Sequence, residues 1–141
     1  MTGYLLDTNV LSEFARARHP DERVDRWVKG TPENLLFTSI LTFAEIRRGI
    51  ELMPVGKRRT QLENFVEEFE KTFANRLLPV TKAIGDRWAV LSVQAQRQGR
   101  TLSVMDGLIA ATALEHDLTV VTRNAKDFAG LGFGVLDPWN S

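Results

Sequence analysis

The chain has 141 residues, 43% hydrophobic and 26% charged, ordinary proportions for one globular domain with a sizeable core. Without cysteine it can form neither disulfides nor a thiolate zinc site, and no apolar run approaches the roughly 18 residues needed to span a bilayer. Its 18 Lys and Arg balance 18 Asp and Glu, so any surface for a polyanion has to come from local charge separation. The N-terminus has no basic stretch followed by a long apolar run and a small-residue cleavage site, so a cytoplasmic protein is expected.

In chain order, Tyr4-Leu5-Leu6 reads as a short strand that stops at Asp7. Helical patterns over Asn9–Ala17 and Glu22–Lys29 follow, then a strand over Leu35–Ile40. Two more helices, Thr42–Met53 and Lys57–Phe73, precede a strand over Leu77–Val80. The second half holds helices over Lys82–Gln98 and Val104–His116 and strands over Leu118–Thr122 and Val135–Leu136. The loop-rich breaks are "HPDE", "GTPEN", "MPVGK" and the glycines of "AGLGFG". Strands alternating with helices predict an α/β fold: a short parallel sheet of about five strands flanked by helices, in one domain spanning 1–141. In helix Lys57–Phe73, Leu62, Phe65, Val66, Phe69 and Phe73 recur at helical spacing. That stripe is either core or a groove for a partner's helix or a second copy of the chain.

Four polar clusters carry the candidate chemistry, and each has a plain structural explanation beside the functional one. Asp7 ends a strand, on the sheet edge where ligands bind in open α/β folds, yet an aspartate before a helix is also an ordinary N-cap. Glu45 interrupts a row of small and apolar residues, or it pairs with Arg48 one turn on. Asp106 opens the apolar helix "VMDGLIAATAL", where a charge needs a partner, but Ser103-Val-Met-Asp106 also spells a capping box. Thr122, Asn124 and Asp127 follow a strand, and Asn-x-x-Asp is equally what a helix start looks like. Joint placement favours function. A parallel sheet gathers these positions on one edge, and three or four carboxylates without Lys or Arg between them repel by several kcal/mol at low dielectric. Neutralisation by a hard divalent cation follows. With all-oxygen ligands, and only His19 and His116 as imidazoles, that cation is Mg²⁺ or Mn²⁺.

The segments "LLDTNVLSE", "TSILTFAEIRRGIEL", "SVMDGLIAATALEHDLTVVTRNAKDF" and "VLDPWN", in this order over essentially the whole chain, resemble the PIN-domain ribonucleases. The resemblance is to the VapC-type toxins of bacterial toxin–antitoxin modules and, among them, the FitB-like branch. It implies a PIN-like α/β/α fold, with Asp7, Glu45 and Asp106 as the acidic catalytic and metal-binding residues and Asn9 and Thr122 as polar support. Where that branch often carries a fourth Asp after "TR", this sequence has Asn124, which adds no charge. Asp127 is then a possible fourth acid.

The resemblance further implies Mg²⁺-dependent hydrolysis of RNA phosphodiester bonds by a metal-activated water. The partners it implies are a cognate antitoxin of VapB or FitA type, an RNA substrate and a second copy in a homodimer, with DNA met only through the antitoxin. Among the local basic groups (Arg16, Arg18 and His19; Arg47 and Arg48; Lys57-Arg58-Arg59; Arg97 and Arg100), Arg47 and Arg48 beside Glu45 are the expected RNA contacts. Three other readings remain open. An aspartyl-nucleophile phosphohydrolase wants an Asp where Asn9 stands. A receiver-like signalling domain wants a lysine that "VLDPW" lacks. A catalytically weak module would only bind antitoxin or RNA.

Overall fold

The computed structural model describes residues 3–16 and 19–140. The expected helix end at Ala17, and Arg18 among the basic groups, lie outside them. Along the chain run β1 (Tyr4–Leu6), α1 (Thr8–Arg16), α2 (Glu22–Gly30), β2 (Leu36–Ser39), α3 (Ile40–Glu51) and α4 (Lys57–Thr72). These are followed by β3 (Leu77–Leu78), α5 (Lys82–Arg97), α6 (Val104–His116), β4 (Thr119–Val121), α7 (Ala125–Phe128) and β5 (Val135–Leu136). The five strands form one parallel sheet in the order β3-β2-β1-β4-β5, the expected architecture.

Alternation along the strands sorts the core into two layers. Leu6, Leu36 and Val121 face one layer with Val10, Leu11, Phe43, Ile46, Ile50, Leu62 and Val66, contributed by α1, α3 and α4. Leu5 and Val120 face the other with Leu91, Ile109, Ala110, Ala113 and Phe128, from α5, α6 and α7. Helices therefore cover both faces, which is why the strands are apolar on both sides and why parallel pairing is stable here. Most of the α4 stripe belongs to the first layer: Leu62, Val66 and Phe73 are buried, Phe69 packs on them, and Phe65 meets Phe69 edge-on at 4.3 Å.

Several boundaries differ from expectation, for local reasons. Glu33–Leu35 is a 3-10 turn rather than the start of β2; the Arg76 guanidinium donates to the Glu33 and Leu36 carbonyls at 2.5 and 2.7 Å and holds it. Ser39 accepts from the Leu41 amide at 3.0 Å, so this N-cap starts α3 at Ile40 and cuts the strand short. At the closing "DPWN", Asp137 accepts from the Trp139 amide at 2.9 Å and Trp139 Nε1 donates to Glu13 at 3.1 Å. The indole, 4% exposed, thereby anchors the C-terminal turn to α1.

Helices α5 and α6 pack closely because Gly107 has no side chain. A Cβ there would lie 2.8 Å from Trp88 Cδ1 and 2.9 Å from Trp88 Nε1. Gly107→Ala is therefore expected to destabilise the fold by about 1–3 kcal/mol through overpacking, and Trp88→Ala in the same chain to recover part of the loss. Denaturant midpoints of the two variants and the double variant check this. A Gly107→Ala protein as stable as the parent would mean that the indole yields freely.

Candidate functional site

The order β3-β2-β1-β4-β5 puts the topological switch between β1 and β4, because the chain leaves β1 toward β2 and later returns to β1's other side. In open α/β sheets the crevice outside the carboxyl ends at such a point is where ligands bind. Leu6 pairs with Val121 and the Asp7 amide continues the ladder to the Val121 carbonyl at 3.0 Å. Asp7 and Thr122 are thereby delivered side by side at that crevice.

Asp7 is only 7% exposed, and its carboxylate is held by neutral donors. Oδ1 accepts from the Thr8 amide at 2.8 Å, and Oδ2 accepts from Thr122 Oγ1 at 2.9 Å and Asn9 Nδ2 at 3.4 Å. The Thr122 hydroxyl also accepts from Asn9 Nδ2 at 3.2 Å and from the Asn124 amide at 3.1 Å. Thr122 is buried, so its hydroxyl proton is committed to Asp7. Two of the three donors to its carboxylate, the Thr8 amide and Asn9 Nδ2, are local, as for a helix cap, and the third, Thr122 Oγ1, reaches it from across the switch point.

Glu45 stands on α3 and does not pair with Arg48. Its Oε1 accepts from Thr8 Oγ1 at 2.6 Å, which ties α3 to the first turn of α1. Asp106 lies in the first turn of α6, where Ser103 Oγ accepts from the Asp106 amide at 3.1 Å and the Ser103 hydroxyl also bonds to the Asp106 carboxylate. Asn124 does not cap α7 with its side chain.

The electrostatics follow from burial and like charge. Burial pushes the Asp7 carboxyl above its ordinary value, the Thr8 amide and Thr122 hydroxyl oppose this, and Asp106 and Glu45 raise it further. Asp106 is also raised, first by burial, with the Ser103 hydroxyl opposing and the charges of Asp127 and Glu45 adding to the rise. Asp7, Glu45, Asp106 and Asp127 thus share one field, and among the described residues no ion pair takes any of the four.

The three acids share a field without closing into a ready-made metal cage. Among the described residues, no three His, Asp or Glu side chains are drawn closely enough together to hold a metal ion. The reason is local: Glu45 is held by Thr8, and Asp7 by Thr8 and Thr122, each toward its own neutral donors. The chemistry of the donor set still suits a hard divalent ion, being all carboxylate and hydroxyl oxygen. Glu45 would have to turn from Thr8 to join it.

The basic candidates differ in how far the protein's own groups engage them. Arg47 is engaged with Glu51 and, at 3.7 Å, Glu63, and Arg59 with the same two acids at 3.1 and 3.8 Å. Arg100 donates to the Ala129 and Asp127 carbonyls at 2.7 and 3.2 Å and so serves the fold. Arg48 is exposed with no ion pair among the described residues. Sequence reasoning gave Thr8 no role; a hydroxyl directly after the strand-ending acid was the available signal.

Fold and site together define a doubly wound parallel α/β domain with its acids at the switch point between the central strands. The chain belongs to the PIN-domain family, whose model matches residues 4–134. It is similar to the VapC ribonuclease Y4jK of Sinorhizobium fredii, 39% identical over 136 residues that cover 96% of each chain. Toxin FitB of Neisseria gonorrhoeae is 36% identical over 137 residues, 96% of this chain and 98% of its own; the crystal structure of FitAcB from that organism matches with a TM-score of 0.91, covering 98% of this chain and 99% of that one. A toxin–antitoxin complex from Klebsiella pneumoniae matches at 26% identity and a TM-score of 0.74, covering 96% and 98%. Among the described residues no helix is long and apolar enough to cross a membrane.

Because the Asp7 carboxyl is raised in the folded chain, the folded state holds more protons than the unfolded state between the ordinary value of 3.8 and the raised one. Stability falls as pH rises through that window, and above it the charged carboxylate is a constant cost. Asp7→Asn is therefore expected to raise the melting temperature by a few degrees near neutral pH, the gain shrinking as pH drops toward 4. Melting curves of both proteins across that range check it; a variant less stable at neutral pH would mean that the hydrogen bonds to Asp7 outweigh its desolvation.

Proposed function

We propose that this chain is the ribonuclease toxin of a toxin–antitoxin module, hydrolysing RNA phosphodiester bonds with Mg²⁺ or Mn²⁺ and restrained by a cognate antitoxin. The observation that carries this reading is Asp7: a buried carboxylate at the β1/β4 switch point, raised by burial and by Asp106 and Glu45, with no cation among the described residues paired to it. The names of its relatives, a VapC ribonuclease and Toxin FitB, agree with it.

Asp7 and Asp106 are the residues proposed to hold the ion, with Glu45 completing the set. When bound, a divalent ion supplies neutralisation of these acids, polarisation of the phosphoryl group and an activated water for in-line attack. The protein's own part is positioning. Thr122 and Asn9 fix the orientation of the Asp7 carboxylate, so its remaining acceptor capacity points one way without reorganisation at the moment of reaction. Thr8 steadies Glu45. Asp127, on the exposed rim, helps push the Asp106 carboxyl above its ordinary value by its like charge and is the proposed fourth acid, while Asn124 contributes an uncharged amide beside it. Arg48 is the member of the Arg47–Arg48 pair proposed to meet RNA. A homodimer, with DNA reached only through the antitoxin, belongs to the same reading.

Incubation of the purified chain with total bacterial RNA, with Mg²⁺ or with chelator, tests the reading. Cleavage is expected only with the metal, and Asp7→Asn and Asp106→Asn are each expected to lower its rate by at least about a hundredfold. Thr122→Val, which removes only an orienting group, is expected to cost about 10–100-fold in activity or metal affinity. Cleavage that survives both chelator and Asp7→Asn would overturn the assignment, and binding of RNA without turnover in any metal would favour a non-catalytic module.

A further inference from the structure

Beside the acidic crevice lies a second feature that the reaction does not absorb: a polar cleft of about 420 Å³ lined by Arg123, Asn124, Ala125, Lys126, Asp137 and Asn140. Arg123 is the residue after Thr122. Its amide donates to Asn9 Oδ1 at 3.2 Å, and Asn9 also bonds to Asp7 and Thr122, so its backbone is locked to the same network that orients Asp7. Its guanidinium lies over the Trp139 ring, 5.5 Å from the centroid. That ring is itself fixed by Glu13 and by the Asp137 contact to its own amide.

The charge of this cleft differs from that of the other basic clusters. Arg47 and Arg59 are committed to carboxylates and Arg100 to carbonyls, whereas neither Arg123 nor Lys126 forms an ion pair among the described residues. The one carboxylate of the cleft, Asp137, has both oxygens engaged, Oδ1 by the Trp139 amide at 2.9 Å and Oδ2 by Asn140 Nδ2 at 2.7 Å. Two cations against one occupied acid leave the cleft net positive next to a strongly negative edge. A polyanion approaching that edge is repelled by the acids and held by the cations beside them. Contact with the Trp139 ring restricts the planar guanidinium at little entropic cost and leaves its donor fork available to phosphate.

We propose that Arg123, assisted by Lys126, forms a subsite for a phosphate of the RNA strand flanking the one cleaved, so that the strand's register over Asp7 is set from the β4–α7 side. The inference rests on the ribonuclease reading and adds to it a positioning residue. An arginine that binds a flanking phosphate contributes to substrate affinity and to its salt dependence far more than to the chemical step.

The test measures anisotropy of a fluorescein-labelled oligouridylate with the full chain in chelator, over a range of salt, together with cleavage of total RNA in Mg²⁺. Arg123→Ala is expected to weaken binding about tenfold and to lower the slope of log affinity against log salt by about 0.7, the value of one single-strand phosphate contact. Lys126→Ala has the same sign and a smaller effect, and Arg123→Lys keeps the slope. In cleavage, Arg123→Ala raises KM with kcat within about twofold, while Lys71→Ala on the far surface of α4 changes nothing. Melting curves confirm that each variant is folded.

An Arg123→Ala protein with the parent's affinity and slope overturns the subsite. So does a poly-glutamate probe that competes as well as RNA of equal charge, since that would assign the cleft to acidic peptides. If the parent chain cleaves in an Asp7-dependent manner while Arg123→Ala is unchanged, only the subsite fails. If the parent neither binds nor cleaves RNA, both it and the ribonuclease reading fail; Arg123-dependent binding without cleavage supports the subsite and overturns the ribonuclease reading alone.

Discussion

The hydrogen bond from Thr122 Oγ1 to Asp7 Oδ2, 2.9 Å long and buried, is the contact on which the rest of the site depends. It links residues 115 positions apart in sequence and exists only because β1 and β4 are neighbours in the sheet. A buried carboxylate cannot stay ionised without donors, and lysine or arginine in that role would cancel the charge that makes the crevice useful. A threonine hydroxyl, an asparagine amide and one backbone amide solve the problem differently: they satisfy the oxygens and leave the negative charge in place. The raised Asp7 carboxyl shows that this solvation is incomplete, and the residual cost is what a cation would relieve.

Zero net charge conceals a deliberate separation. Arg47 of α3 and Arg59 of α4 are paired with Glu51 and Glu63 on the same two helices, and Lys82 and Arg87 of α5 with Asp86 and Glu115. The acids at the switch point have no such partners. Exposed pairs of this kind contribute little stability, but they do neutralise these cations on the outer faces of the helices. Global charge balance and a locally negative crevice are therefore compatible, and the composition alone could not distinguish this from a uniformly neutral surface.

The layout of strands and helices was legible because its signals are local: short apolar runs at β1 and β4, helical spacing in α4, an apolar helix at α6, and turn residues between them. The site was legible only in part. Asp7, Glu45 and Asp106 stood out as charges in apolar surroundings, and sheet topology brought them to one edge, but their side-chain partners depended on contacts that no local pattern encodes. Glu45 takes Thr8 in preference to Arg48, although an i, i+3 pair was the nearer choice along the helix. Ser39 is an ordinary cap signal that an apolar run on either side of it obscured. The roles of Trp139 and Glu13 rest on a contact spanning 126 residues and had no sequence signature beyond the presence of a tryptophan near the end.

The substitution of Asn124 for an acid after "TR" has a physical consequence that follows from where α7 sits. The negative charge that Asp106 feels most strongly comes from Asp127, ahead of Glu45, one helical turn beyond Asn124. Charge is thus supplied to this side of the crevice from an exposed helical position instead of from the strand end. An exposed carboxylate is better solvated and less tightly placed than one fixed by the sheet, so it adds to the field more than to a rigid coordination geometry. The strand-end side is organised by hydrogen bonds among Asp7, Asn9 and Thr122, and the α7 side contributes an exposed carboxylate. Arg123 lies between them, its backbone bound to the ordered network and its side chain on Trp139. A cation held on the Trp139 ring therefore stands beside the acids that Asp7 anchors, and the charge along this edge changes sign over a few residues.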